Sequence, residues 1–210
     1  MFSPRTRFVF LSSAAVYGKP EVLPVEERAS LKPISPYGFH KLQCESLVQE
    51  FSQTYDIEAL SLRIFSSYGA GLKKQFLWDF CRKASACNQL TLQGSGNETR
   101  DFIHISDLVR CVDHLDRHVV FDGSSINVCS GTATPIAELA EMLAAHFPHY
   151  LSISFSGELP AGVPDRWLGD DSVLRETGFR CLTAMEAGVA DYVRWYRAVG
   201  ALPRRPDLGE

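Results

Sequence analysis

The sequence predicts an α/β chain, a parallel sheet followed by a smaller mixed lobe. Three observations lead there. Short apolar runs alternate with segments of helical apolar spacing, the order a parallel sheet needs. The first run, around Phe8-Val9-Phe10-Leu11, shows no polar alternation, as expected of a strand covered on both faces. Two segments open on Ser35-Pro36 and Thr134-Pro135, a capping hydroxyl followed by proline where its missing N–H is harmless.

The elements follow in order. A strand is expected over 7–11, then Ser12-Ser13-Ala14-Ala15 and a Pro- and Glu-bearing loop to about Ser35. The helix opened by Ser35-Pro36 should run to about Tyr55, with Leu47, Val48 and Phe51 on its apolar face. Ile57 to Phe65 reads as the next strand, Tyr68-Gly69-Ala70-Gly71 as a turn and 76–84 as a helix. Short strands at Leu90-Thr91-Leu92 and Phe102-Ile103 flank a hairpin-like turn with Gly94, Gly96 and Asn97. Ser106 is a candidate cap for a helix to about Leu115, and Ile126-Asn127-Val128 a strand. Thr134-Pro135 should open a helix to about Ala145. A short strand at 151–155, a loop over 160–165, a helix over 184–196 and a frayed polar end from Pro203 complete the chain.

Composition excludes several classes. With 210 residues, 45% apolar and 22% charged, the chain is an ordinary globular mix. A net charge of -4 points to neither a nucleic-acid nor a membrane partner. The opening Arg5/Arg7 and apolar run are too short for a signal peptide, and no stretch reaches the length of a membrane span. Six cysteines without a CxxC favour reduced, mostly buried thiols over a disulfide framework or a metal site, and with that a cytoplasmic setting. His114 and His118 share a helix face but lack acidic partners for a metal site.

The chemistry centres on Tyr37 and Lys41, four residues apart in a helix and so on one face. A nearby ammonium favours a phenolate over a phenol, and a phenol so tuned can exchange a proton at neutral pH. Alone, such a pair more often marks an exposed helix face. The context is Ser12-Ser13 directly after the first strand, where ligands meet the carboxyl ends of parallel strands. A serine there can hydrogen-bond a substrate oxygen while the tyrosine moves its proton. The competing reading of Ser12-Ser13 is a polar strand end.

The run Leu11-Ser12-Ser13-Ala14-Ala15-Val16-Tyr17-Gly18, followed by Ser35-Pro36-Tyr37-Gly38-Phe39-His40-Lys41, resembles the extended short-chain dehydrogenase/reductase family. That family holds sugar-nucleotide epimerases, dehydratases and reductases. The likeness continues through Arg63-Ile64-Phe65-Ser66-Ser67-Tyr68-Gly69-Ala70-Gly71, then Arg100-Asp101-Phe102-Ile103-His104-Ile105-Ser106-Asp107 and Asn127-Val128-Cys129-Ser130-Gly131. It extends past Asp165-Arg166 and Arg175-Glu176-Thr177-Gly178-Phe179 to Trp195-Tyr196-Arg197. Each piece is modestly specific, and their order is what carries the resemblance.

The resemblance implies a partial Rossmann-like parallel sheet with a smaller mixed C-terminal substrate lobe. Residues 1–70 would be the C-terminal part of the cofactor domain. Residues 71–200 would be mainly substrate lobe, with segments returning to the core, and 201–210 a polar tail. It implies Ser13, Tyr37 and Lys41 as catalytic residues, with Tyr37, Lys41 and Phe65 beside NAD or NADP. Ser13, Ser66, Arg100 and Arg166 would contact a nucleotide-diphosphate sugar, the arginines through a planar fork of donors. For Arg100 the competing role is an ion pair with Glu98 or Asp101, and for Arg166 a surface position. The implied activity is epimerisation or oxidoreduction by hydride transfer at sugar C4. A 4-keto-sugar reductase and a non-catalytic fragment needing its missing N-terminal half are the alternatives. A homodimer is among the assemblies the resemblance allows, and no metal is implied.

Three departures qualify this. No GxGxxG or GxxGxxG turn follows the first strand, so the chain reads as starting at the sheet's fourth strand, and weak or absent cofactor binding is expected. Ala14 and Ala15 stand where the family's dehydratases carry an Asp-Glu pair; methyl groups cannot protonate a leaving oxygen, which disfavours dehydration. Ser66 stands where the family often has a substrate-binding Asn.

Overall fold

The computed structural model describes residues 6–159 and 164–200. Its central sheet is parallel, in the order β1-β2-β6, formed by β1 (Phe8–Ser13), β2 (Ala59–Ile64) and β6 (Asp122–Val128). β1 lies against β2 in direct register from Phe8↔Ala59 to Ser13↔Ile64. β1 leads through a single 3-10 turn (Ala14–Tyr17) and a loop into α1 (Pro36–Tyr55). As expected, Ser35 caps α1, its Oγ accepting from the Gly38 N–H at 3.1 Å, with Pro36 in the first turn.

The smaller lobe is mixed. β3 (Ser66–Tyr68) runs parallel to β5 (Thr99–His104), which pairs antiparallel with β7 (Ala133–Pro135). β4 (Gln89–Leu92) and β8 (Ser152–Phe155) form a separate parallel pair. The helices are α2 (Gln75–Ala86), α3 (Ile105–His118), α4 (Ile136–Ala144), α5 (Ser172–Glu176) and α6 (Met185–Gly200). One core packs Phe80, Leu139, Leu143 and Tyr192 between α2, α4 and α6. A second packs Leu60, Leu62, Ile103, Leu115 and Val128 under α3. A third joins Val16, Tyr17, Phe65 and Cys129 below the turn after β1. The result is a partial Rossmann-like parallel sheet with a smaller mixed lobe.

Several local expectations are corrected. The segment between β4 and β5 is not a hairpin, because the two strands join different sheets. The Glu98 carboxylate accepts from the Ser95 and Gly96 N–H groups at 2.8 and 2.9 Å and folds the chain away from itself. The cap of α3 is His104, whose ring nitrogen accepts from the Ser106 N–H; Ser106 lies inside the helix. Thr134-Pro135 belongs to β7, and α4 begins at Ile136 without a side-chain cap. Its first N–H groups find backbone instead, Ile136 donating to the Glu98 carbonyl at 2.8 Å and Ala137 to that of Gly96 at 2.9 Å. Residues 160–163 and the end from 201 lie outside the described residues.

The first strand is also less covered than expected. Phe8 is 50% and Leu11 49% exposed, and β1 pairs only with β2 among the described residues. On α1, Val48 is buried, while Leu47 and Phe51 remain about half exposed. They line an apolar groove with Phe8, Phe10 and Tyr55 beside the free edge of β1.

Three of the six thiols, Cys81, Cys111 and Cys129, are buried, and burial pushes the Cys81 and Cys111 thiols up to about 12, which makes them poor nucleophiles. No helix among the described residues is long and apolar enough to cross a membrane.

Candidate active site

Parallel strands deliver their carboxyl ends to one edge of the sheet, and the β1–β2 register places Ser13 beside Ile64 there. Ser13 Oγ accepts from the Ala15 N–H at 3.2 Å, which leaves its own proton free to be donated. α1 then crosses back over the strand. Lys41 Nζ donates to the Leu11 carbonyl at 2.7 Å and stands 4.8 Å from the Phe10 ring centre and 5.5 Å from that of Tyr37. Tyr37, one turn earlier, is 56% exposed and open to a ligand.

Six of the seven sequence-predicted site residues line one cleft of about 910 Å³ between the sheet and the smaller lobe: Ser13, Tyr37, Lys41, Phe65, Ser66 and Arg100. Arg166 does not line it. Its side chain is exposed, and its backbone lies beside Thr99, the neighbour of Arg100. Arg100 is held by its Nη1, which donates to the Thr99 carbonyl at 2.7 Å. Burial lowers the Arg100 pKa against the opposing pull of Glu98 and Asp165, an arrangement that rewards an incoming anion.

The cleft holds further residues that sequence patterns missed. Lys74, Gln75, Phe76 and Leu77 bring the start of α2 into it, and α2 has no side-chain cap among the described residues. Its free N–H groups make a natural anion seat. Gln75 adopts a left-handed conformation (φ 67°), which turns the chain into the helix and which no local residue signal announces. Trp167 lines the cleft from a distant segment, packs edge-on against Phe65 at 5.9 Å and keeps its indole N–H unpartnered among the described residues. Only the tertiary fold brings 167 next to 65.

Behind the cleft lies a buried polar layer. Burial works against the charge of Arg63, but its bonds to Glu45 and to the Tyr17 hydroxyl hold it above its ordinary value. Burial pushes the Tyr17 phenol up to about 12, so it stays protonated and donates to Asn127 Oδ1 at 2.7 Å.

The pattern of the NAD dependent epimerase/dehydratase family matches residues 2–129. The chain belongs to this family. Among its relatives is a protein of Bacillus subtilis named "Uncharacterized UDP-glucose epimerase YtcB", 28% identical over 80% of this chain and 53% of that protein. Among solved structures, RMD from Pseudomonas aeruginosa complexed with NADPH superposes with a TM-score of 0.83 at 26% identity, covering 92% of this chain and 67% of that one. MoeE5 in complex with UDP-glucose and NAD gives a TM-score of 0.80 at 29% identity, covering 93% and 66%. This epimerase/dehydratase-family chain spans about half the length of the curated relatives it matches. Among the described residues no GxGxxG or GxxGxxG run joins a strand to a helix; Gly69-Ala70-Gly71, between β3 and α2, lacks the third glycine of that pattern.

Proposed function

We propose that this chain carries the catalytic and substrate-binding part of an NAD- or NADP-dependent epimerase or oxidoreductase acting at C4 of a nucleotide-linked sugar. The observation that carries this reading is the meeting of Ser13, Tyr37, Lys41, Phe65, Ser66 and Arg100 in one cleft. Tyr37 takes the proton of the reacting sugar hydroxyl and returns it when the carbonyl is reduced again. Ser13 donates a hydrogen bond to that same oxygen and fixes it beside the phenol. Lys41 supports the phenolate electrostatically and can turn its remaining protons to a ribose hydroxyl. NAD or NADP, when bound, accepts and supplies the hydride. Arg100, Lys74 and the open start of α2 suit the diphosphate; Arg166, exposed and bridged through its backbone to Thr99, is the further candidate for the same group. Ala14 and Ala15 offer no acid for a leaving hydroxyl, which favours epimerase and 4-keto-sugar reductase over dehydratase chemistry.

A second reading, a non-catalytic fragment that needs a further N-terminal half, is supported by the edge of β1 that has no partner strand among the described residues and by the apolar groove that Phe8 and Phe10 line. The substrate assignment is tested by titrating the purified chain with UDP-glucose, UDP and free glucose. Binding of the nucleotide-linked sugar well above that of glucose, reduced by Arg100→Ala, is the expected result. Equal affinity for glucose and UDP-glucose overturns it.

A further inference from the structure

Glu45 lies in α1 one turn beyond Lys41, 5% exposed, and its carboxylate gathers four elements. Arg63 of β2 meets it with Nη2 to Oε2 at 2.8 Å and Nε to each oxygen at 3.1 Å. Ser12 of β1 donates to Oε1, and Ser125 of β6 to Oε2 at 3.3 Å. Arg63 Nη1 continues to the Tyr17 hydroxyl at 2.9 Å and the Glu27 carbonyl at 2.8 Å, both in the segment after β1.

The geometry has a direction. Residues 45, 41 and 37 step back along one face of α1, a turn apart. The first two are tied to consecutive residues of β1, Glu45 to Ser12 and Lys41 to the Leu11 carbonyl. The third, Tyr37, reaches the cleft that Ser13 lines. An ion pair this deep is not required to fill the space, since apolar side chains of similar volume often serve stability equally well. Apolar side chains cannot, however, fix which carboxylate oxygen meets which strand residue. We infer that Glu45 and Arg63 are positioning residues: they hold α1 in register with β1, so that Tyr37 and Lys41 stand over Ser13. This rests on the reading of Tyr37, Lys41 and Ser13 as the reacting group.

The test separates placement from stability. The chain is labelled with 13C in tyrosine rings and lysine side chains, and the Tyr37 and Lys41 signals are assigned from Tyr37→Phe and Lys41→Met spectra. Two variants are compared by NMR and thermal melting: Ser12→Ala, which cuts the tie to β1, and the double variant Glu45→Leu/Arg63→Met, which replaces the pair by apolar volume. The expected result is a shift of the Tyr37 and Lys41 signals toward their free-amino-acid positions, with Tyr68 and Tyr192 of the smaller lobe unchanged. Should the double variant not fold, Ser12→Ala decides alone. Wild-type Tyr37 and Lys41 signals in a folded variant overturn the inference, as does a shift spread equally over all four residues, which marks general loosening. The spectra report where Tyr37 and Lys41 sit, so a failure of sugar binding leaves this result standing.

Discussion

A methyl group on Gly38 would stand 2.6 Å from the carbonyl oxygen of Ala15 and 3.0 Å from the Pro33 side chain. Gly38 is buried in the first turn of α1, directly after Tyr37. The bare backbone at 38 lets the start of the helix close onto the turn that follows Ser13, and this approach brings the tyrosine to the cleft. Gly38→Ala should therefore destabilise the chain by about 1–3 kcal/mol, the usual cost of overpacking. The sign is diagnostic. In a helix free of such contact the same change would stabilise by about 1 kcal/mol. Urea unfolding measures it, and a rise in stability would show that the helix does not press on Ala15.

Tyr37→Phe should leave the fold intact and remove turnover. Tyr37 is 56% exposed and its hydroxyl has no hydrogen-bond partner among the described residues, so stability should change by less than about 0.5 kcal/mol. In a version extended to include a Gly-rich nucleotide-binding unit, hydride transfer with a nucleotide sugar should fall about 10²–10⁴-fold. Retention of most activity by the folded variant removes Tyr37 from the proposed role.

Residues 1–210 alone should bind NAD and NADP weakly or not at all. On the proposed reading Tyr37, Lys41 and Phe65 meet the nicotinamide end, while no GxGxxG or GxxGxxG turn among the described residues supplies the backbone donors for the pyrophosphate. Isothermal titration with each dinucleotide decides it. Micromolar or tighter binding to the monomeric chain contradicts the expectation. Binding that appears only on adding an upstream polypeptide identifies a split enzyme.

Asp107 couples stability to acid pH. It is buried at the start of α3 and accepts from the Leu182 and Thr183 N–H groups at 3.1 and 2.9 Å, and from Arg110. Burial alone would raise its pKa, but the bonds from Arg110, Thr183 and Leu182 more than offset this and hold it below the usual carboxylate value. A lowered folded pKa means stability that is fully present above the unfolded value of about 3.9 and is lost as pH falls through the folded one. Asp107→Asn should cost about 1.5–3 kcal/mol at pH 7, the range for a bond to a charged group. The difference from wild type should shrink in melts taken below about pH 3. A gap that stays constant with pH would place the effect in packing.

Elements set by local signals are legible in the sequence. The Ser35-Pro36 start of α1 is set by a hydroxyl and a ring within one turn, and both act as expected. Those whose partner is a distant backbone are not. Thr134 yields its capping role because the carbonyls of Gly96 and Glu98 already satisfy the first N–H groups of α4. Likewise Leu90 and Ile103 both read as strand residues, yet β4 pairs with β8, and β5 pairs with β3 and β7, choices that alternating apolar residues do not encode.

The sequence by itself determined the alternating α/β order, the shared face of Tyr37 and Lys41, the placement of Ser13 at a strand end and the lack of a GxGxxG or GxxGxxG run. Each depends on neighbours within a few residues, where helical and extended periodicities act directly. Only the tertiary structure decided that Arg100 reaches the same cleft as Ser13 while Arg166 stays outside its lining, that Trp167 packs on Phe65, and that Glu45 meets Arg63. Those relationships join residues far apart in the chain. Their geometry is fixed by how the sheet and the smaller lobe bury their shared surfaces, and no short stretch of sequence carries that information.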